Sequence, residues 1–403
     1  MHDLIHLNKK QYADWPYPKP PNDISDWQAK GGYQQCDPLL DYELIWPERA
    51  YNPEFSILIA GCGTTEAAHQ AYNHPLATVV GIDLSPASLE HEARLKKKHG
   101  LDNLELRQMD LHDAATLGRQ FDLVVSYGVL HRQPDPSKAL AALASVVKDD
   151  GVIFLALYGK HLRSGVYMVQ DALRRLGVGQ TPQDVAFARS VVGTLPPWHP
   201  VQAYIPTVDD LDYDSGFVDT FLHNRDIPYT VPDVLALADS CDLAFQGWFD
   251  NLFYYPDGAL SANPPLYRKV ATLPEREQWA VVELLVPPFS GHRFFLRKKN
   301  EAAAKFRIDF DSPSFLETVP SSRQFLKAGN IKPGVTGLSR EWHRMQLSGL
   351  ERAVFLATDG EASIGEIIAR QAGSSTENQE SALRFFKRMW RLGHVKLSKA
   401  PRT

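Results

Sequence analysis

The sequence predicts an α/β fold, a mostly parallel sheet covered by helices on both faces, carrying an insertion and a small appended domain. Three observations carry that expectation. Strand-like and helix-like segments alternate from Phe55 onward. Runs such as DLVVS and VIFLAL lack polar alternation, as strands covered on both sides do. One strand also runs straight into a Gly-x-Gly turn and a helix.

Residues 1–50 are rich in proline, tryptophan and tyrosine (WPYPKPP, then YELIWPERAY) and read as an irregular N-terminal arm, held on the fold by aromatic anchors. The segment 51–300 then forms the main domain. FSILIA is a strand, TTEAAHQAYN a helix, TVVGID a strand and PASLEHEARLKKKHG a helix. LELRQMD and FDLVVSY are strands, a helix starts at the Asp135-Pro136 cap and runs through ALAALASVV, and GVIFLALY is a strand. The rhythm breaks over about residues 160–230 into a basic turn (GKHLRSG), a helix (VYMVQDALRRLG) and a proline-rich, acidic, aromatic stretch. Long insertions after such strands commonly serve as lids or binding loops, so this one is expected to close over a ligand. TVPDVLALADSC returns as helix, and LAFQGWF and GHRFFLRKK as strands that bring the sheet to seven. EAAAK at 301–305 opens a connector. Residues 310–403 hold three amphipathic helical segments and a short HVKLS strand, the order of a small helical or winged-helix-like domain.

Composition narrows the function classes. The chain of 403 residues is 44% hydrophobic and 23% charged, with a net charge of −5, so no global basic footprint for nucleic acid or an anionic membrane exists. Its three cysteines, Cys36, Cys62 and Cys241, are too few and too scattered for a disulfide framework or a zinc site, which fits a reducing cytoplasm. Neither a secretory h-region nor a membrane-length apolar run is present, and a protein neither secreted nor membrane-embedded is expected.

The strongest chemical signal is ILIAGCGTTEAA, where a strand enters Gly61-x-Gly63 and a helix, with Asp83 closing the next strand twenty residues on. Glycines allow a tight turn and close ligand approach, and a carboxylate at the second strand tip can accept from ribose hydroxyls. Dinucleotide sites need a small third residue so that pyrophosphate can sit on the helix N-terminus. Glu66 stands there instead. It would repel a pyrophosphate but tolerate the ammonium and sulfonium of S-adenosylmethionine, which disfavours NAD. Asp110, closing the third strand, is placed to accept from an adenine amino group, with Met109 and Leu111 beside the ring; a helix N-cap is its structural alternative.

AGCGTTEAA, VVGIDLSPASL, QMDLHD and FDLVVSYGVLHRQPDP, in this order and spacing, resemble the successive motifs of class I S-adenosylmethionine-dependent methyltransferases, closest to the branch acting on quinones and other small molecules. The resemblance implies a Rossmann-like seven-stranded methyltransferase sheet. It implies cofactor contacts from Ala60, Gly61, Cys62, Gly63 and Thr64, from Asp83 and Leu84 at the ribose, from Asp110 and Leu111 at the adenine, and from Ser126 and Tyr127. Many members carry an acid two positions before the first glycine, where this chain has Ile59. Glu66 or the N-terminal arm is left to substitute.

Methyl transfer is an in-line displacement at an activated carbon, so the protein chiefly aligns and desolvates. Where the acceptor stays protonated, a base is needed, and His131, past the fourth strand, is the leading candidate, with Tyr158 and His161 behind it. Each could equally be a packed loop residue. Arg163 could hold an acceptor carboxylate or stand exposed. His199 and His223 are isolated and make no metal site. The tail cations Lys387, Arg388, Arg391, Lys396, Lys399 and Arg402 suggest either a solvated face or a nucleic-acid contact. The leading reading is a small-molecule methyltransferase. A protein or RNA methyltransferase that docks its substrate through the C-terminal domain, a homodimer, and a non-catalytic cofactor-binding module stay open as alternatives.

Overall fold

The computed structural model describes residues 2–29, 36–289, 291–300, 305–323, 337–373 and 375–399. Two compact units divide the chain. The first comprises Met1–Gln35, Pro53–Gly247 and Pro287–Lys299, the second Cys36–Asn52, Trp248–Val286 and Asn300–Thr403.

In the first unit the apolar runs become β1 (Ser56–Ala60), β2 (Thr78–Asp83), β3 (Leu104–Gln108), β4 (Phe121–Tyr127), β5 (Val147–Tyr158), β6 (Leu243–Trp248) and β7 (Gly291–Lys298). They form one seven-stranded sheet in the order β3-β2-β1-β4-β5-β7-β6. β1 pairs in parallel with β2 and with β4, and β7 runs antiparallel to β5. Ile57, Leu58, Ile59 and Ala60 are at most 1% exposed, which is why this strand shows no polar alternation. Chain order reverses between β1 and β4, and ligands of open α/β sheets settle at the strand ends beside such a reversal.

Local chemistry fixes the flanking helices. Ser85 accepts from Ser88 N–H to start helix Pro86–His99, Pro86 takes its first turn, and Gly100 ends it in the left-handed region. Asp135 caps helix Pro136–Ser145 in the same way. The insertion folds into helices Ser164–Arg175, Pro182–Thr194, Val201–Tyr204 and Asp214–Phe221. They enclose their own core of Val166, Val169, Leu173, Phe217, Val218 and Phe221.

The N-terminal arm differs from expectation, because His2–Asp14 is a helix. Its buried positions within residues 7–14, Asn8 and Gln11, are polar and are fixed by hydrogen bonds, which hydropathy does not register. The helix stops before Pro16, which disfavours helical backbone at Trp15.

In the second unit, helices Gly349–Leu356, Ile364–Gln371 and Thr376–Arg391 follow one another, the first two opened by capping boxes Ser348/Glu351 and Ser363/Glu366. Strand β8 (Val319–Ser322) pairs antiparallel with the chain's last strand, Val395–Ser398. The tail cations within the described residues are largely matched by acids: Lys396 is buried on Glu43 at 2.7 Å, Arg391 meets Asp257 at 3.2 Å and Arg388 meets Glu351 at 2.5 Å. A cation already paired offers little to a phosphate backbone. Residues 301–304 of the expected connector and Arg402 lie outside the described residues.

Candidate functional site

β1 ends in the glycine turn. Gly61 N–H and Cys62 N–H both donate to the Ile82 carbonyl, at 2.8 and 3.0 Å, so the turn is pinned to the end of β2. Gly61 and Gly63 have φ of +80° and +57°, and a Cβ on Gly61 would fall 2.4 Å from Val129 Cγ2. Only glycine keeps this backbone bare. Asp83 accepts from Gly63 N–H at 2.9 Å and from Ser85 N–H at 2.8 Å, one bond to each oxygen. An ionised carboxylate has further lone pairs, which are left for a ligand. Burial pushes the Asp83 carboxyl above its usual range, against the pull of the backbone N–H groups.

Helix Glu66–Asn73 follows, and sequence reasoning missed what anchors it. The buried Glu92 carboxylate accepts from Ala67 N–H at 3.0 Å and Ala68 N–H at 2.8 Å, holding first-turn donors that the helix cannot satisfy itself. Nothing local in the sequence marks Glu92, because it reaches these amides from helix Pro86–His99.

A cavity of about 390 Å³ opens over these strand ends. The glycine turn, the helix after it and the ends of β2 and β3 contribute Gly61, Cys62, Gly63, Glu66, Asp83, Leu84, Met109 and Leu111 to its lining. The end of β4, the loop after it and β5 contribute Tyr127, Val129, Arg132, Gln133 and Tyr158. Asn8, Tyr12, Tyr17, Pro18 and Lys19 of the N-terminal segment complete the wall, whereas the insertion supplies no lining residue. The first group combines a bare backbone turn, the Asp83 carboxylate and apolar side chains with an acid, Glu66, where a pyrophosphate would sit. Its chemistry fits S-adenosylmethionine.

Other expected site residues stand behind the lining. Ser126 Oγ donates to the Ala60 carbonyl at 2.9 Å and ties β4 to β1. Thr64 is buried and donates to the Pro18 carbonyl at 2.8 Å. Asp110 caps the turn Leu111–Leu117 and meets His112 Nδ1 at 2.7 Å. His161 lies at the start of the insertion, off the cavity wall, where its carbonyl accepts from Ser164 N–H.

The second group is backed by a buried ionic network that the sequence did not disclose. Arg132 Nη1 and Nη2 each donate to an oxygen of Asp219 at 2.7 Å, and Nη2 also donates to the Tyr158 hydroxyl at 3.2 Å. Tyr158 Oη in turn lies 3.4 Å from Asp219 Oδ2. The Tyr158 ring is packed closely: the Arg163 guanidinium sits 3.7 Å from its centroid and the His131 ring, tilted by 38°, 4.2 Å away. Arg163 is fully buried and committed to Tyr204 Oη at 2.5 Å, with Asp226 at 3.5 Å. It is not an exposed arginine.

Burial pushes His131 well below its ordinary range, and the charges of Arg132 and Arg163 push the same way, so the imidazole is neutral. It is fully buried, does not line the cavity, and has Asp226 3.8 Å from Nε2. His223 is driven to about 4, chiefly by burial. Burial pushes the Tyr158 hydroxyl well above its usual range and keeps it protonated. Asp219 is pushed up by burial, but the charge and hydrogen bonds of Arg132 outweigh this and hold it below the usual carboxylate range.

Residues 52–184 match a family described as a methyltransferase domain. An uncharacterized protein of Synechococcus sp. is 26% identical over 287 residues, covering 70% of this chain and 69% of that protein. A ubiquinone biosynthesis O-methyltransferase of Actinobacillus pleuropneumoniae is 26% identical over 156 residues, 36% of this chain and 64% of that enzyme, so less than two thirds of its length is spanned. Among solved structures, PKMT2 from Rickettsia typhi in complex with AdoHcy superposes with a TM-score of 0.62 at 14% identity, covering 96% of this chain and 78% of that one. At that identity the likeness is one of fold.

Proposed function

We propose, from the premise that residues 52–184 form a methyltransferase domain, that the chain is a class I S-adenosylmethionine-dependent methyltransferase that transfers the methyl group to an O, N or C atom of a small-molecule acceptor held at Tyr158. The bound cofactor supplies an activated methyl carbon. Gly61–Gly63 and Asp83 orient that cofactor, with Leu84, Met109 and Leu111 against its apolar surface. Tyr158 orients the acceptor through its hydroxyl. Arg132, Asp219, Arg163 and His131 fix Tyr158 and exclude water behind it, which is the alignment and desolvation that an in-line displacement needs.

The observation that carries this reading is the clamp on Tyr158. A cavity-lining side chain packed by a guanidinium and an imidazole and bonded at its hydroxyl has the immobility of a preorganised binding group. The ubiquinone O-methyltransferase likeness supports a small acceptor. A protein or RNA acceptor docked by the second unit is the competing reading. Among the described residues no helix is long and apolar enough to cross a membrane. We assign the protein to the cytoplasm on its sparse cysteines.

Calorimetric titration with S-adenosylmethionine, S-adenosylhomocysteine and NAD, using Asp83→Ala as control, tests the cofactor site. Radiolabelled methyl transfer into a cell extract, separated into small-molecule, protein and RNA fractions, then tests the acceptor. Label in the small-molecule fraction supports the proposal, and label confined to protein or RNA overturns it.

A further inference from the structure

Residues 16–21 read Pro-Tyr-Pro-Lys-Pro-Pro, and Tyr17, Pro18, Lys19 and Pro21 all line the cavity. Proline has no N–H and a fixed φ, so such a segment is stiff and poor in backbone donors. Both of its ends are anchored. On the N-terminal side Trp15 Nε1 donates to the Gln180 carbonyl at 3.0 Å, and Gln180 Nε2 donates to Gln11 Oε1 at 2.8 Å. On the other side Lys98 Nζ donates to the Asn22 carbonyl at 2.8 Å and pairs with Asp23 at 2.7 Å.

Between these anchors two side-chain hydrogen bonds hold the segment down. Tyr17 Oη donates to Asp210 Oδ2 at 2.6 Å, reaching the insertion. Thr64 Oγ1 donates to the Pro18 carbonyl at 2.8 Å, reaching the glycine turn. The segment lies so close to that turn that a Cβ on Gly63 would stand 3.3 Å from both Pro18 Cδ and the Tyr17 carbonyl oxygen. A ligand seated on the turn therefore has this segment against it.

We propose that Pro16–Pro21 is a hinged flap of the cofactor site, latched by Tyr17–Asp210 and Thr64–Pro18, and that cofactor entry and product release run through opening of both latches. The proposal rests on the reading of the cavity as a cofactor site. Fixed ends confine the motion to the six residues between them, and proline stiffness makes them move as one piece. The latches join the flap to two separate elements, so opening needs no change in the sheet. A bond to a half-buried carboxylate is also among the stronger neutral-donor bonds, which makes Tyr17 the dominant latch.

The test is the release rate of radiolabelled S-adenosylhomocysteine from the full chain after rapid dilution. Tyr17→Phe, which keeps the ring, and Thr64→Val are each expected to speed release by roughly tenfold. Ser137→Ala, on the remote helix Pro136–Ser145, is expected to leave it unchanged. Independently of any variant, saturating S-adenosylhomocysteine should slow amide exchange at Tyr17 and Lys19, the residues of the flap that carry an N–H. Release rates unchanged in both variants, or exchange at Tyr17 and Lys19 indifferent to the ligand, would overturn the flap. A wild-type chain that binds no S-adenosylhomocysteine would overturn the cofactor reading itself, and the first titration shows this before any variant is made.

Discussion

Arg132 and Asp219 meet fork to fork, with each terminal guanidinium nitrogen 2.7 Å from its own carboxylate oxygen and both side chains at most 5% exposed. One comes from the loop after β4 and the other from helix Asp214–Phe221, so this pair joins the cavity wall to the insertion. Removing one partner leaves a buried charge uncompensated. Asp219→Ala should cost about 3–5 kcal/mol in urea unfolding, and Arg132→Met with Asp219→Leu should recover much of it. A cost under 1 kcal/mol for the single variant would show that the pair is solvated.

Because Arg132 holds the folded Asp219 carboxyl below its unfolded value, the stability it contributes is present above about pH 4 and is lost as pH falls through the depressed folded value. His131 and His223 act in a higher window. Their folded values lie below the unfolded value near 6.5, that of His223 at about 4, so unfolding takes up protons as pH falls from about 6.5. Stability should decline across that interval, and His223→Gln should flatten the decline in unfolding curves measured from pH 7 to 4.

Tyr158→Phe removes the hydroxyl and retains the ring against Arg163 and His131. With an acceptor in hand, it should lower kcat/KM by roughly ten- to a hundredfold while leaving S-adenosylhomocysteine affinity within about twofold. His131→Gln should leave the pH profile of kcat/KM unchanged in shape, since the imidazole is sealed from the cavity. A lost acid limb in that variant would restore His131 as the base.

Gly61→Ala faces both a positive φ and Val129 Cγ2 at 2.4 Å. Cofactor affinity measured by calorimetry should fall by more than about tenfold, and Val129→Ala in the same chain should recover only part of it, because the backbone strain persists.

Glu92→Ala orphans the amides of Ala67 and Ala68. Each buried donor left unsatisfied costs about 1–3 kcal/mol, so the urea midpoint should drop and cofactor affinity should fall with the loosened turn. An unchanged midpoint would mean that water reaches these amides.

The sequence by itself determined the sheet and the cofactor turn. Alternating apolar runs and helices, Gly61-x-Gly63 and Asp83 are local patterns, and local patterns report backbone geometry directly. Tertiary structure alone decided the rest. Helix His2–Asp14 is held by polar contacts at Asn8 and Gln11, which hydropathy does not register. Arg163 reads in the sequence as either a ligand binder or an exposed cation, and only the fold commits its charge to Tyr204 and Asp226; Glu92 is invisible there because its partners come from another helix. A carboxylate, imidazole or guanidinium takes its role from what faces it. Here those facing groups are brought together from segments as far apart in sequence as Tyr12 and Asp219.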